Sequence, residues 1–149
     1  MSHINNFKDL LLFEIQKAFY DERGRGARYR LTTAGVSYLA EHLKEKAGDI
    51  NEVKAWLKEN GFVKNIEFEE EMVSLKIIVD SCCLISIRDY FDSAGMQPLG
   101  CPIANVFMNA LELKSGLSPE LLPIKFNGGV CELTLAKMAT SDVVEGMSK

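Results

Sequence analysis

The residues that could do chemistry here are mainly thiols. The chain carries four cysteines, Cys82, Cys83, Cys101 and Cys131, against only two histidines, His3 and His42. A thiol can ligate a soft metal, react as a thiolate, or pack as a small hydrophobe. Cys101 stands in GCPIANVF, residues 100–107, directly before an apolar run. Pro102 suits the first position of a helix, where its missing N–H costs nothing. That makes Cys101 the expected N-cap, a place usually taken by Ser, Thr, Asn or Asp. The positive end of a helix dipole lowers a thiol pKa and favours thiolate. Cys101 is therefore a candidate metal, haem or redox group, with packing under a loop as the alternative. Cys131 falls on one strand face with Leu133 and Leu135, which suits a core thiol or a site shared with Cys101. Cys82 and Cys83 are adjacent. They point opposite ways on a strand and about 100° apart on a helix, so at most one reaches a given site. A disulfide between them would be strained.

Other chemistry finds little support. His3 lies near the start and His42 on the polar side of a helix; both read as solvated. A histidine-based zinc enzyme is not expected. No GxSxG, HExxH or Walker loop occurs, and GRG at residues 24–26 has no preceding strand. The acidic run EFEEE, residues 67–71, reads as a solvated hairpin end or a cation site. Arg23, Arg25, Arg28 and Arg30 could meet an anionic group or a partner, or form a solvated loop. ARYRLTTAGVSYLAEHL looks like the wing and following helix of a winged-helix domain, but only one helix precedes it.

The totals agree. Residues 1–149, of 16.6 kDa, make one domain, long enough to bury a core without metals or disulfides. The net charge of −4 and pI of about 5.3 argue against a nucleic-acid partner. LLLF at residues 10–13 is too short for a signal peptide, and no stretch approaches the roughly 18 apolar residues of a membrane span. A cytoplasmic protein with no membrane partner is expected, its cysteines free rather than paired.

Periodicity supplies the elements. Residues 7–20, FKDLLLFEIQKAFY, read as a helix with Phe7, Leu11, Ile15, Ala18 and Phe19 on one stripe. DERGRGARYR reads as a loop. A second helix follows with Val36, Leu39, Ala40, Leu43 and Ala47 at helical spacing, Thr32 or Thr33 as cap and Gly48 as stop. A third starts at Asp49, with Glu52 completing a capping box, and ends at Asn60–Gly61. Ile66 and Phe68, then Val73, Leu75, Ile77 and Val79, alternate with polar neighbours and predict a hairpin. Residues 81–95 read as a helix with Ile87, Tyr90, Phe91 and Ala94 inward, though SCCLISI alone could extend the strand. CPIANVFMNALELKSG is the clearest helix, with Ile103, Val106, Phe107, Ala110 and Leu111 inward and Gly116 as stop. Leu122, Ile124 and Phe126, a glycine turn, and Cys131, Leu133 and Leu135 predict a closing hairpin. Residues 138–149 read as a frayed tail. The fold class is α+β: a mainly antiparallel sheet of two hairpins, with helices packed on it as a single layer pair.

Over about residues 20–137 this order resembles the 4-vinyl reductase domain family of small-molecule-binding domains. The resemblance rests on GRGARYRLTTAGVSYLAEHL, on NEVKAWLKENGFVKNIEFEEEMVSLKIIVDSC, on CPIANVFMNALELKSG and on FNGGVCELTL. It implies a fold related to that of vesicle-tethering subunits, a hydrophobic pocket between sheet and helices, a homodimer, and binding of small apolar or aromatic molecules. In some phenol-responsive members three cysteines and a glutamate hold zinc. The leading and last of those cysteines correspond to Cys101 and Cys131. The middle one and the glutamate would fall in residues 121–126, which contain neither, and only Glu120 precedes them. Two ligands fall short of the four of a structural zinc site.

The expected function is thus non-catalytic binding or sensing of a small apolar molecule. The expected pocket residues are Cys101, Phe91, Val106, Phe107, Ile124, Phe126 and Leu133, between sheet positions that include Leu75, Ile77 and Leu135. Zinc or haem remains open as a cofactor at Cys101 and Cys131. The alternatives are a tetrapyrrole- or metal-handling enzyme or accessory protein using Cys101, and an interaction module with no ligand.

Overall fold

Alternating apolar and polar residues put one face of each strand in a core and the other in water, and the sheet follows that rule. The computed structural model describes residues 3–23, 34–98 and 100–137. Strands β1 (Asn65–Glu70) and β2 (Ser74–Asp80) form an antiparallel hairpin. β2 pairs antiparallel with β5 (Val130–Ala136), whose other edge takes first β3 (Glu120–Leu121) and then β4 (Lys125–Asn127). The register lines up rows across the inner face. Ile66, Val79, Cys131 and Phe126 form one row; Phe68, Ile77 and Leu133 form the next. On the outer face Lys76 bridges Glu69 at 3.5 Å and Glu132 at 3.3 Å.

The helices are α1 (His3–Arg23), α2 (Val36–Leu43), α3 (Ile50–Glu59), α4 (Ile85–Ser93) and α5 (Pro102–Ser115), with a 3-10 turn at Lys44–Gly48. The α+β class and the order of helices and hairpins agree with the sequence reading. Asp49 caps α3, its Oδ1 accepting from the Asn51 and Glu52 N–H groups at 2.8 and 3.4 Å. Only half of the capping box forms, because the Asp49 N–H donates to the Lys46 carbonyl instead.

α5 is the central helix. Ile103, Ala104, Val106, Phe107, Met108, Ala110 and Leu111 are all buried, more than one stripe of a helix. A helix apolar on nearly all sides must be surrounded, and α2, the 3-10 turn, α3 and β5 surround this one. Its one buried polar residue, Asn105, donates from Nδ2 to the Ala34 carbonyl at 3.0 Å and so ties the start of α2 to α5.

Three expectations need correction. Phe7, Leu11 and Ile15 lie on the outward side of α1 and are exposed. The side that packs carries Phe13, whose ring stacks on Tyr90 at 5.5 Å and meets Phe91 edge-on at 4.8 Å. α1 is apolar around most of its girth, so the stripe alone does not say which side is covered. Second, Tyr90 and Ala94 of the 81–95 segment are exposed: α4 spans Ile85–Ser93 and turns Ile87 and Phe91 inward, Tyr90 lies beside that face, and Ala94 follows the helix end. Third, Leu122 is exposed. Pro123 has no N–H to offer a ladder, and the next residue, Ile124, pairs its backbone with Gln97 rather than with a strand. Thr32, Thr33, Arg25, Arg28, Arg30 and the tail 138–149 lie outside the described residues.

Gly35, the N-cap of α2, has φ of +83°, and a Cβ there would stand 3.0 Å from Cβ of Pro102. Gly35→Ala combines a left-handed backbone with a close approach to the start of α5. It should cost about 1–2 kcal/mol or more, read as a lower urea midpoint at unchanged slope.

Candidate functional site

Where α5 begins, the core stops being solid. A partly open cavity of about 270 Å³ lies between the sheet, α1, α4 and the first turn of α5. Its sheet wall is Val79, Cys131, Phe126 and Leu133. The register explains the grouping: Cys131 pairs with both Val79 and Phe126, and Leu133 follows on the same face. The helical walls are Leu84, Ile85, Ile87 and Phe91 from α4 and its entry, and Cys101, Pro102 and Ile103 from α5. Leu12 and Ile15 of α1 complete it; both also face solvent, at 46% and 57% exposure, so the cavity opens on that side. Gln97 fixes the remaining wall. Its side-chain amide donates to the Ile124 carbonyl at 3.1 Å and accepts the Ile124 N–H at 2.9 Å, holding Ile124 and Pro98 on the lining.

Of the expected pocket residues, Cys101, Phe91, Ile124, Phe126 and Leu133 line this one cavity. Val106 and Phe107 do not. They lie a turn further along α5, fully buried, and Phe107 packs edge-on against Phe68 at 5.5 Å. Leu75, Ile77 and Leu135 are likewise buried core and not lining.

Three thiols reach the cavity: Cys82, Cys101 and Cys131. Cys83 turns out to solvent, so the vicinal pair splits and one member faces the site. Among the described residues, no group of three or more His, Cys, Asp or Glu side chains is placed to hold a metal ion. The zinc set implied by the resemblance is not assembled from them. The space is also just below the roughly 300–1,000 Å³ of drug-sized ligand sites, too small for a haem.

The thiols differ in acidity. Cys101 does cap α5, and the Ile103 and Ala104 amides pull its pKa down, but burial outweighs them and pushes it up to about 11. The expected thiolate is therefore a correction: this thiol is neutral at pH 7, because its remaining exposure faces the apolar cavity. Cys82 is also raised, first by its hydrogen bond with Cys83 and then by burial. The same bond holds Cys83 down to about 7.

The sequence reading missed Arg88. It lines the cavity with its side chain only 13% exposed. Nη1 donates to Sγ of Cys131 at 3.7 Å, and the guanidinium carbon lies 5.2 Å from the centre of the Phe126 ring. Burial lowers its pKa, but the bonds to Asp89 and Cys131 outweigh this and raise it, so the charge stays. The signal was spacing: Arg88 stands four residues after Leu84 and three before Phe91, both on the lining, and residues three or four apart share a helix face.

No family model matches this chain, and no curated protein sequence matches it. Among the described residues no helix is long and apolar enough to cross a membrane.

The thiol acidities give an expected order of reaction. Cys83, exposed and acidic, should be alkylated first by iodoacetamide, at a rate that rises with pH through a midpoint near 7 as thiolate forms. Cys82→Ala removes the bond that holds Cys83 down and should move the midpoint upward. Cys82 and Cys101, both raised, should react far more slowly near neutral pH. Peptide mass mapping across pH 6–9 checks both.

Proposed function

We propose that this chain binds a small, largely apolar molecule and does no bond-breaking chemistry on it. One observation carries the reading. The cavity is walled by aliphatic, aromatic and thiol side chains, with Gln16 and Arg88 the only polar or charged side chains besides them among the described residues. A preformed apolar space with a few polar groups is the usual form of a small-molecule site. An interaction module without a ligand has no need of such a space, since an unfilled cavity costs stability. The neutral thiol at Cys101 supports a wall rather than a nucleophile. The family resemblance points the same way. It also implies a homodimer, for which the exposed α1 residues Phe7 and Leu11 offer an apolar surface.

Calorimetric titration with octan-1-ol, a neutral apolar probe, tests the reading. Saturable binding with a negative heat-capacity change is expected. Leu84→Trp enlarges a half-buried residue on the cavity wall. It should weaken octan-1-ol on the order of tenfold while the thermal midpoint stays the same or rises, as filling a void allows. A chain that binds neither octan-1-ol nor indole, and flies bare in native mass spectrometry, removes the proposal.

A further inference from the structure

We propose that the ligand of this pocket carries a carboxylate, which docks on Arg88 while its apolar body fills the cavity; this rests on the binding reading above. A guanidinium taken from water into an apolar wall is costly unless partnered. A neutral hydrocarbon gives no reason to place one there. Among the described residues, Arg88 is the only cationic side chain on the lining and no carboxylate side chain lies on it.

Its donors are unevenly used. Nε and Nη2 both go to one oxygen of Asp89, at 3.2 and 2.8 Å. Asp89 is itself 62% exposed, so this pair is solvent-screened and weak. Among the described residues Nη1 reaches the Cys131 sulfur, a weak acceptor, at 3.7 Å. The Phe126 ring beneath the guanidinium helps fix its plane. A planar fork held in this way suits a carboxylate, which can accept two parallel N–H bonds.

The surroundings favour an anion too. The starts of two helices reach the same cavity: α4 through its N-cap Leu84, and α5 through its N-cap Cys101. Leu84 has no side-chain polar group to cap α4, the Cys101 thiol that caps α5 is neutral, and neither first turn contains an acidic residue. Both positive helix ends therefore add to the charge of Arg88 instead of being neutralised locally. The cavity volume of about 270 Å³ limits the body to a short chain or a single ring.

The test compares octanoate with octan-1-ol, matched in chain length and differing in charge, by calorimetry on the full chain. Octanoate should bind on the order of tenfold or more tightly, the scale of a charge-assisted hydrogen bond. Arg88→Met keeps the apolar stem. It should abolish that preference and leave octan-1-ol within about threefold of its original affinity, the size of a small packing change. Equal binding of the two probes by the unaltered protein overturns the carboxylate proposal and leaves the pocket reading standing. Equal weakening of both probes in Arg88→Met also overturns it, making Arg88 a brace for Asp89 and Phe126. Failure of both probes to bind the unaltered protein overturns this proposal, and failure of indole as well, with a bare native mass, removes the pocket reading. Should Arg88→Met not fold, Arg88→Lys decides: it keeps the charge but loses the fork, so octanoate must weaken several-fold and octan-1-ol must not.

Discussion

The structure depends on the burial of α5. Each fully buried aliphatic or aromatic side chain contributes about 1.5–3 kcal/mol relative to exposure, and this one helix buries seven apolar residues. Everything else is arranged to surround it. The sheet takes one side, α2 and α3 the others, and the Asn105–Ala34 bond sets how the start of α2 meets it. Two places escape full enclosure: the last turn, where Leu113 is exposed, and the start of the helix at Cys101 and Pro102. At that start α1 and α4, which pack on each other, take over as walls. The cavity is the seam between two packing groups: a dense one around α5 and a looser one around α4. Its position follows from where the central helix begins, not from any residue dedicated to forming it.

That seam explains how the thiols behave. A helix start offers a cysteine a favourable local field, but a local field competes with the surroundings. Cys101 is ringed by apolar walls and stays neutral; Cys83, three positions beyond the end of β2 and open to water, is the acidic one. Position on a helix and position in the fold give opposite answers, and the second wins because desolvation acts on the whole group.

The same contrast separates what the sequence disclosed from what it withheld. Period two gave the strands and their inner faces, since Leu75, Ile77, Val79, Leu133 and Leu135 need only the pleat to be placed. Asp49 and Gly116 marked helix ends by local chemistry alone. Five of seven pocket residues were legible because their strands and helices had to face one another. Val106 and Phe107 were misplaced because core and cavity use the same residue types, and only packing distinguishes them. The stripe on α1 was legible as apolar but not as outward, since the side a helix buries depends on a neighbour far away in sequence. Arg88 was passed over because a charged residue beside an acidic one reads as surface. Its burial comes from Phe126 and Cys131, some forty residues further along the chain.

The sheet's two edges, at which no further strand pairs among the described residues, bear on how the molecule behaves in company. A long, flat, apolar edge is a template on which another chain can pair. β1 carries Glu67, Glu69 and Glu70, so like charges would meet along any added copy of itself. The opposite edge is cut at Pro123, and Gln97 occupies the backbone groups of Ile124 that a stranger would need. The clamp that shapes one wall of the cavity also denies the sheet a continuous sixth strand. Fibril-like growth along this sheet is blocked at one end by charge and at the other by a break in the ladder.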